Sequence, residues 1–340
     1  MQLEMNKHLH VKSSILSSEA LREAVLSKYL LNNPVHCQFF KLGVNDTYIV
    51  RDLTSIYYLR VYKYNWRAKE DIESELKCLT YLNENNFSVS TPIKNIYGTY
   101  LNEVQAPEGV RYVALFTNAL GIHRDNITKE DNYLFGKTIA NIHSTTDKLE
   151  HTYNRFHIDL KHLVDEPLKS IEPLIKHRND DYNYFKTVGE ELKVIIEELL
   201  PQTIPLYGIC HGDIHLGNVN FTENGISTMF DFDCFGYGWR AYDIAVYRWH
   251  QEITKHNQTP DNSKLKQWNK FLEGYNEERK LTANENEAIN TFIAIRHIWV
   301  MGLHSQICPN VGYHFMNDAY FDNKIKVIKD WIKSNKVLRT

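Results

Sequence analysis

Cysteine is scarce in this chain and poorly placed for cross-linking. The five cysteines, Cys37, Cys78, Cys210, Cys234 and Cys308, are odd in number and widely scattered, and none forms a Cys-x-x-Cys pair. That argues against a disulfide framework and against a zinc cluster. It leads to the expectation of reduced thiols in a cytoplasmic setting. No long basic run is present and the net charge is −3, so nucleic acid is not an expected partner. No apolar stretch approaches membrane-spanning length, and no membrane is expected. Residues 1–15 lack the apolar core of a secretory signal. Internal repeats and low-complexity tracts are also lacking. What remains, 340 residues with 43% hydrophobic and 24% charged, is the composition of an ordinary globular protein with room for two lobes. Oligomeric state is not legible.

One stretch carries chemistry. His211-Gly212-Asp213-Ile214-His215-Leu216-Gly217-Asn218 is followed, thirteen residues after Asn218, by Asp231-Phe232-Asp233. Asp213, Asn218 and Asp231 are three oxygen-donor side chains. Phosphoryl transfer from a nucleotide needs such a set: an aspartate to meet the acceptor hydroxyl, and an asparagine and a second aspartate to hold Mg²⁺ against the phosphates. Asp233 is a further acid, either behind the site or in contact with substrate.

The flanking residues predict the geometry. Tyr207-Gly208-Ile209-Cys210 reads as a strand. Gly212 and Gly217 permit sharp turns. Residues 218–221 and 226–230 read as two strands about the turn Glu223-Asn224-Gly225. Such a hairpin brings Asn218 and Asp231 side by side, where one metal bridges both. A competing reading takes His211-x-Asp213-x-His215 as a metallohydrolase site. No Gly-Asn-His is present, and His250 and His256 lack partner spacing.

His211 to Asn218, Asp231-Phe232 and Tyr242-Asp243-Ile244-Ala245 together resemble the phosphotransferase enzyme family of small-molecule kinases: aminoglycoside phosphotransferases, choline kinases and the protein-kinase-like homoserine kinases. The resemblance implies a transferase with ATP and Mg²⁺. It implies that His211 and His215 shape the loop and that Asp243 braces it from below. Phe271-Leu272-Glu273-Gly274-Tyr275 and Arg296-His297-Ile298-Trp299 also look like that family's C-terminal region.

The element order fits. A helix from Ser17 to about Leu30, strands within 39–64, a helix over 69–83 and further strands after Pro92 precede a mainly helical remainder. The expected fold is α+β and protein-kinase-like. Residues 1–117 form a nucleotide lobe and 118–340 a catalytic and substrate lobe.

The resemblance places the phosphate-side cation at Arg60, with Lys63 on the opposite strand face as the alternative. Helix geometry selects its partner. Ile72, Leu76, Leu79 and Leu82 make an apolar stripe, and Glu75 falls within it; the alternative is a water-exposed glutamate. Asn45, in the turn Gly43–Thr47, stands where a phosphate loop belongs. Phe116, Thr117 and Ala119 mark the expected adenine hinge.

Gly212 replaces the arginine that precedes the catalytic aspartate of protein kinases, and only eleven residues separate Asp231 from Asp243. An activation loop does not fit there, so the expected acceptor is a small hydroxyl-bearing molecule. Glu273, Glu277 and Glu278 either greet a cationic substrate or form a solvated face. The alternatives to a kinase are a nucleotide-binding regulatory pseudokinase and a metal-dependent phosphohydrolase.

Overall fold

The structure, a computed structural model, describes residues 9–124, 127–149, 152–252 and 262–338. It divides into two compact units. One holds the residues up to Thr80 together with Ser90–Asn118; the other holds Tyr81–Val89 and the residues from Ala119 on.

The first unit opens with α1 (Ser18–Ala24), capped by the Ser17 hydroxyl, which accepts from the Ala20 N–H. The helix expected through Leu30 is shorter. Leu26–Lys28 tighten into a 3₁₀ turn, and Tyr29 leaves it in an extended conformation. That exit carries the Tyr29 hydroxyl to the buried Asn102 amide, which donates to it at 2.8 Å. Five antiparallel strands follow: β1 (His36–Leu42), β2 (Asp46–Arg51), β3 (Ile56–Val61), β4 (Leu101–Ala106) and β5 (Gly109–Thr117), in the spatial order β1-β2-β3-β5-β4. Leu21, Val25 and Leu26 pack on Tyr48, Val50, Leu59, Val61, Val113 and Leu115. Between β3 and β4 runs α2 (Lys69–Glu84), which belongs to this unit as far as Thr80; its Ile72, Leu76, Leu79 and Leu82 are all buried. A buried arginine ties the sheet together. Arg111 donates to Asp46 Oδ2 at 2.7 Å and to the carbonyls of Ser14, Val61 and Tyr62 at 2.8, 3.2 and 2.9 Å.

The second unit contains α3 (Lys129–Thr146), β6 (His157–Ile158), α4 (Glu166–Ile171), α5 (Asn179–Leu199), β7 (Tyr207–Cys210), β8 (Val219–Phe221), β9 (Ser227–Met229), β10 (Gly236–Trp239), α6 (Arg240–Glu252), α7 (Asn262–Glu278), α8 (Ala283–Val311) and α9 (Asp318–Asn335). A π-helical turn, Lys161–Asp165, precedes α4. Helix α8 is apolar around most of its circumference and buried accordingly, with α4, α5, α6 and α9 packed on it. β10 lies between β6 and β7, and β8 pairs with β9 as the sequence predicts. Among the described residues no helix is long and apolar enough to cross a membrane.

Helices α3 and α7 cross closely because both present glycine. A Cβ on Gly274 would run into the Tyr133 carbonyl, and one on Gly136 into that of Phe271. Gly274→Ala should therefore cost about 1–3 kcal/mol of stability through overpacking. Urea unfolding measures it; an unchanged midpoint would contradict the close crossing.

Candidate active site

The catalytic loop leaves the end of β7 and returns through the β8–β9 hairpin. Its backbone is set from below by Asp243, in the first turn of α6 and fully buried. The His211 N–H donates to Asp243 Oδ2 and the Gly212 N–H to Oδ1, both at 2.7 Å. Gly212 has φ +79°, and a Cβ there would strike the Cys234 carbonyl, so the loop needs glycine at that turn. His143 Nε2 lies 3.2 Å from Asp243 Oδ2, and its Nδ1 2.9 Å from the Tyr275 hydroxyl. Burial, with Arg240 nearby, holds the His143 pKa well below that of free imidazole, while burial raises that of Asp243. His143, Cys210 and Asp243 cluster within 4.8 Å, but each is committed: the Cys210 thiol faces the Trp239 carbonyl at 3.4 Å. The cluster is a hydrogen-bonded brace.

His211 links the loop to the hairpin. Its Nδ1 accepts from the Asp213 N–H at 3.2 Å, so Nε2 carries the proton and donates to the Phe230 carbonyl at 3.1 Å. Burial lowers its pKa, consistent with that neutral form. His215 accepts the Gly217 N–H on Nδ1 at 2.9 Å and turns Nε2 toward Asp213 Oδ2, 3.3 Å away. Its ring stacks on His250 at 4.9 Å, a partner that spacing did not reveal; His256 lies outside the described residues.

Asp213 keeps 24% of its side chain exposed. Burial pushes its pKa up, but the Arg296 guanidinium and His215 outweigh that and hold the carboxyl well below the usual range. Asn218 spends its amide nitrogen on Asp213, donating to the carbonyl at 3.0 Å and Oδ2 at 3.3 Å. Its carbonyl oxygen Oδ1 is what remains to meet a cation. The Phe230 N–H donates to the Asn218 backbone carbonyl at 3.1 Å, so the hairpin does return the chain to Asn218. Asp231 follows in the left-handed region, φ 64° and ψ 59°, a conformation that costs a non-glycine residue on the order of 1–3 kcal/mol. Asp233 is buried, and Arg155 holds its backbone carbonyl.

In the first unit, Arg60 Nη1 meets Glu75 Oε1 at 2.7 Å. The Tyr62 hydroxyl donates to Oε2 at 3.1 Å, and the guanidinium lies 5.1 Å over the Phe116 ring. Glu75 is buried, not water-exposed. Lys63 sits over Trp66 instead, with its pKa lowered by burial, and its backbone N–H donates to Asn45 Oδ1 at 3.0 Å. At the expected hinge, Phe116 pairs with Tyr58, and Thr117 is engaged on both sides: its N–H donates to the Thr91 carbonyl at 2.9 Å and its carbonyl accepts from Ser90 at 2.7 Å. The Ala119 carbonyl, in the second unit, accepts from Asn220 at 3.2 Å.

Two features of this region lay beyond the sequence reading. Arg296 reaches Asp213 from 83 residues away, a contact without periodicity or spacing to betray it. The acidic run of α7 is paired with lysines: Glu277 and Glu278 with Lys137 at 2.7 and 3.1 Å, and Glu273 with Lys270 at 2.7 Å.

A buried brace beneath a Gly-Asp turn, with a hairpin returning a second aspartate, is the arrangement of a phosphotransferase. The model of the phosphotransferase enzyme family matches residues 36–279. The chain belongs to that family and is a small-molecule kinase. An uncharacterized protein of Synechocystis sp. is 30% identical over 324 residues, covering 94% of this chain and 88% of its own length. A microcompartment-associated aminopropanol kinase has a similar structure, TM-score 0.77 at 21% identity, covering 94% of this chain and 99% of that one. An amicoumacin kinase, hAmiN, in complex with AMP-PNP, Ca²⁺ and Ami gives 0.75 at 19%, covering 94% of each. These two structures share the fold.

The Arg60–Glu75 contact is open to a double-mutant cycle. Arg60→Ala, Glu75→Ala and the double variant should give a coupling energy of about 1–3 kcal/mol in unfolding. Additive losses would mean that the two side chains do not interact in solution.

Proposed function

We propose that this protein is an ATP- and Mg²⁺-dependent O-phosphotransferase acting on a hydroxyl of a small amine-bearing molecule, of the amino alcohol, aminoglycoside or hydroxy-amino acid type. The observation that carries the reading is the partly exposed Asp213 carboxylate, with Asn218 bonded to it, on a loop held by buried Asp243. Asp213 orients the acceptor hydroxyl. Because its charge is stabilised, it is a weak base and takes the proton late, after bonding to the leaving group has largely gone; this suits a loose phosphoryl-transfer transition state. Asn218 Oδ1 and the Asp231 carboxylate are hard oxygen donors and fit Mg²⁺, and they would hold it. Held there, Mg²⁺ would supply Lewis-acid stabilisation of the charge that develops on the transferring phosphoryl group. Arg60, oriented by Glu75, and Asn45 take the phosphate side, while Phe116 and Ala119 take the adenine and Thr117, whose N–H and carbonyl are already paired, flanks them. Asp233, which is buried, would support Asp231.

The AMP-PNP and Ca²⁺ bound to hAmiN support a nucleotide and a divalent cation. The aminopropanol kinase supports an amine-bearing acceptor. An intact Asp213, Asn218 and Asp231 argues against a nucleotide-binding module without turnover. The test is ADP release with MgCl₂ and ATP over a panel of aminopropanol, ethanolamine, choline, homoserine, hydroxylysine and aminoglycosides. Turnover with an amine-free sugar and none of these would overturn the acceptor class.

Asp213→Asn should leave ATP affinity nearly intact and cut kcat by about 10²–10⁴-fold. Full kcat in that variant would remove Asp213 from the reaction. Asp231→Ala should weaken Mg²⁺-dependent ATP binding more than Asn218→Ala does, since it removes a charge as well as a donor. Calorimetry with and without Mg²⁺ reads the order, and unchanged affinity in Asp231→Ala would exclude it as a ligand.

A further inference from the structure

Arg296 lies on α8 and is 4% exposed. Its Nη1 donates to the Gly212 carbonyl at 3.2 Å and to the Tyr242 hydroxyl at 3.0 Å, and its Nη2 donates to Asp213 Oδ1. The guanidinium is flanked by two indoles, 4.3 Å from the Trp299 ring centroid and 5.5 Å from that of Trp249. Trp299 is itself fixed: its Nε1–H donates to His162 Nε2 at 3.2 Å, and His162 stacks on Phe156 at 5.0 Å. One rigid plane therefore holds both the carboxylate of Asp213 and the peptide group before it.

We propose that Arg296 is the positioning residue for Asp213 in phosphoryl transfer. It occupies Oδ1 with the shortest contact the carboxylate makes, so the acceptor hydroxyl approaches Oδ2, where Asn218 Nδ2 and His215 Nε2 make only longer contacts of 3.3 Å. The inference rests on the kinase reading. A free carboxylate rotates between two equivalent oxygens and presents each in many orientations. A guanidinium fork bonded to the side chain and to the neighbouring backbone removes that freedom before the substrate arrives. The clamp is permanent. Gly212 leaves no arginine in the loop itself, and α8 supplies one from the core of the second unit.

Lysine is the discriminating substitution, because it keeps the charge and loses the fork. ATP hydrolysis, with water as acceptor, and transfer to aminopropanol are followed with radiolabelled ATP. Arg296→Lys should lower kcat on the order of 10- to 100-fold, as loss of charge-assisted hydrogen bonds does, and leave the KM for ATP nearly unchanged. In an Asp213→Asn background the same lysine substitution should cost little more, because residues that act through one another are not additive. Ethylguanidinium should restore part of the activity of Arg296→Ala. Thermal melts of each variant separate folding from turnover. A wild-type kcat in Arg296→Lys, or a full further loss in the Asp213→Asn background, overturns the proposal and leaves the kinase reading standing. A wild-type protein that turns over no ATP sinks the kinase reading itself.

Discussion

A single buried carboxylate carries the catalytic loop. Asp243 satisfies two consecutive backbone N–H groups, His211 and Gly212, at a turn where neither has a partner in regular structure. Each would cost about 1–3 kcal/mol if left buried and unpaired. The charge on Asp243 is itself costly to bury, and the surrounding contacts offset that cost. His143 on α3 meets the carboxylate, and Tyr275 on α7 fixes His143. The loop and α3 thus meet one side chain of α6, and α7 is tied to it through His143. The loop's shape, and with it the placement of Asp213 above and His211 alongside, follows from that convergence.

The hairpin solves the companion problem of returning a second acid to the same place. The β8–β9 register puts Val219 opposite Met229, so the residues just outside the pair fall beside one another. Asp231 then turns into the left-handed region, which aspartate tolerates better than most residues that carry a side chain. Gly212, on the facing turn of the loop, also has a positive φ, which glycine adopts without strain.

What could be read in advance follows a physical division. β7 and the hairpin announce themselves because their pattern is local: a short apolar run, a Glu-Asn-Gly turn and alternation of faces. Glu75 was legible because a helix converts spacing into direction, so an acid inside an apolar stripe has to be buried and paired. Arg296, the His143–Tyr275 pair and the Arg111 network were not legible. Each joins residues far apart in sequence, through contacts that exist only once helices and strands have packed. The hinge was placed by position alone, and sequence carried no trace that Thr117 already has partners for both backbone groups. The early end of α1 reflects a tertiary bond from Asn102 to Tyr29 that no propensity encodes.

The location of Arg296 bears on the order of events at the ribosome. Among the described residues, every other group that touches the Asp213 carboxylate lies within five residues of it, on the loop itself. Arg296 comes 83 residues later, inside a helix that ends at Val311. A nascent chain can therefore form β7 and the hairpin long before the last partner of its reactive carboxylate has been synthesised. Completion of the catalytic loop is a late step of biogenesis, and a chain stalled before α8 emerges carries the whole loop sequence without its clamp.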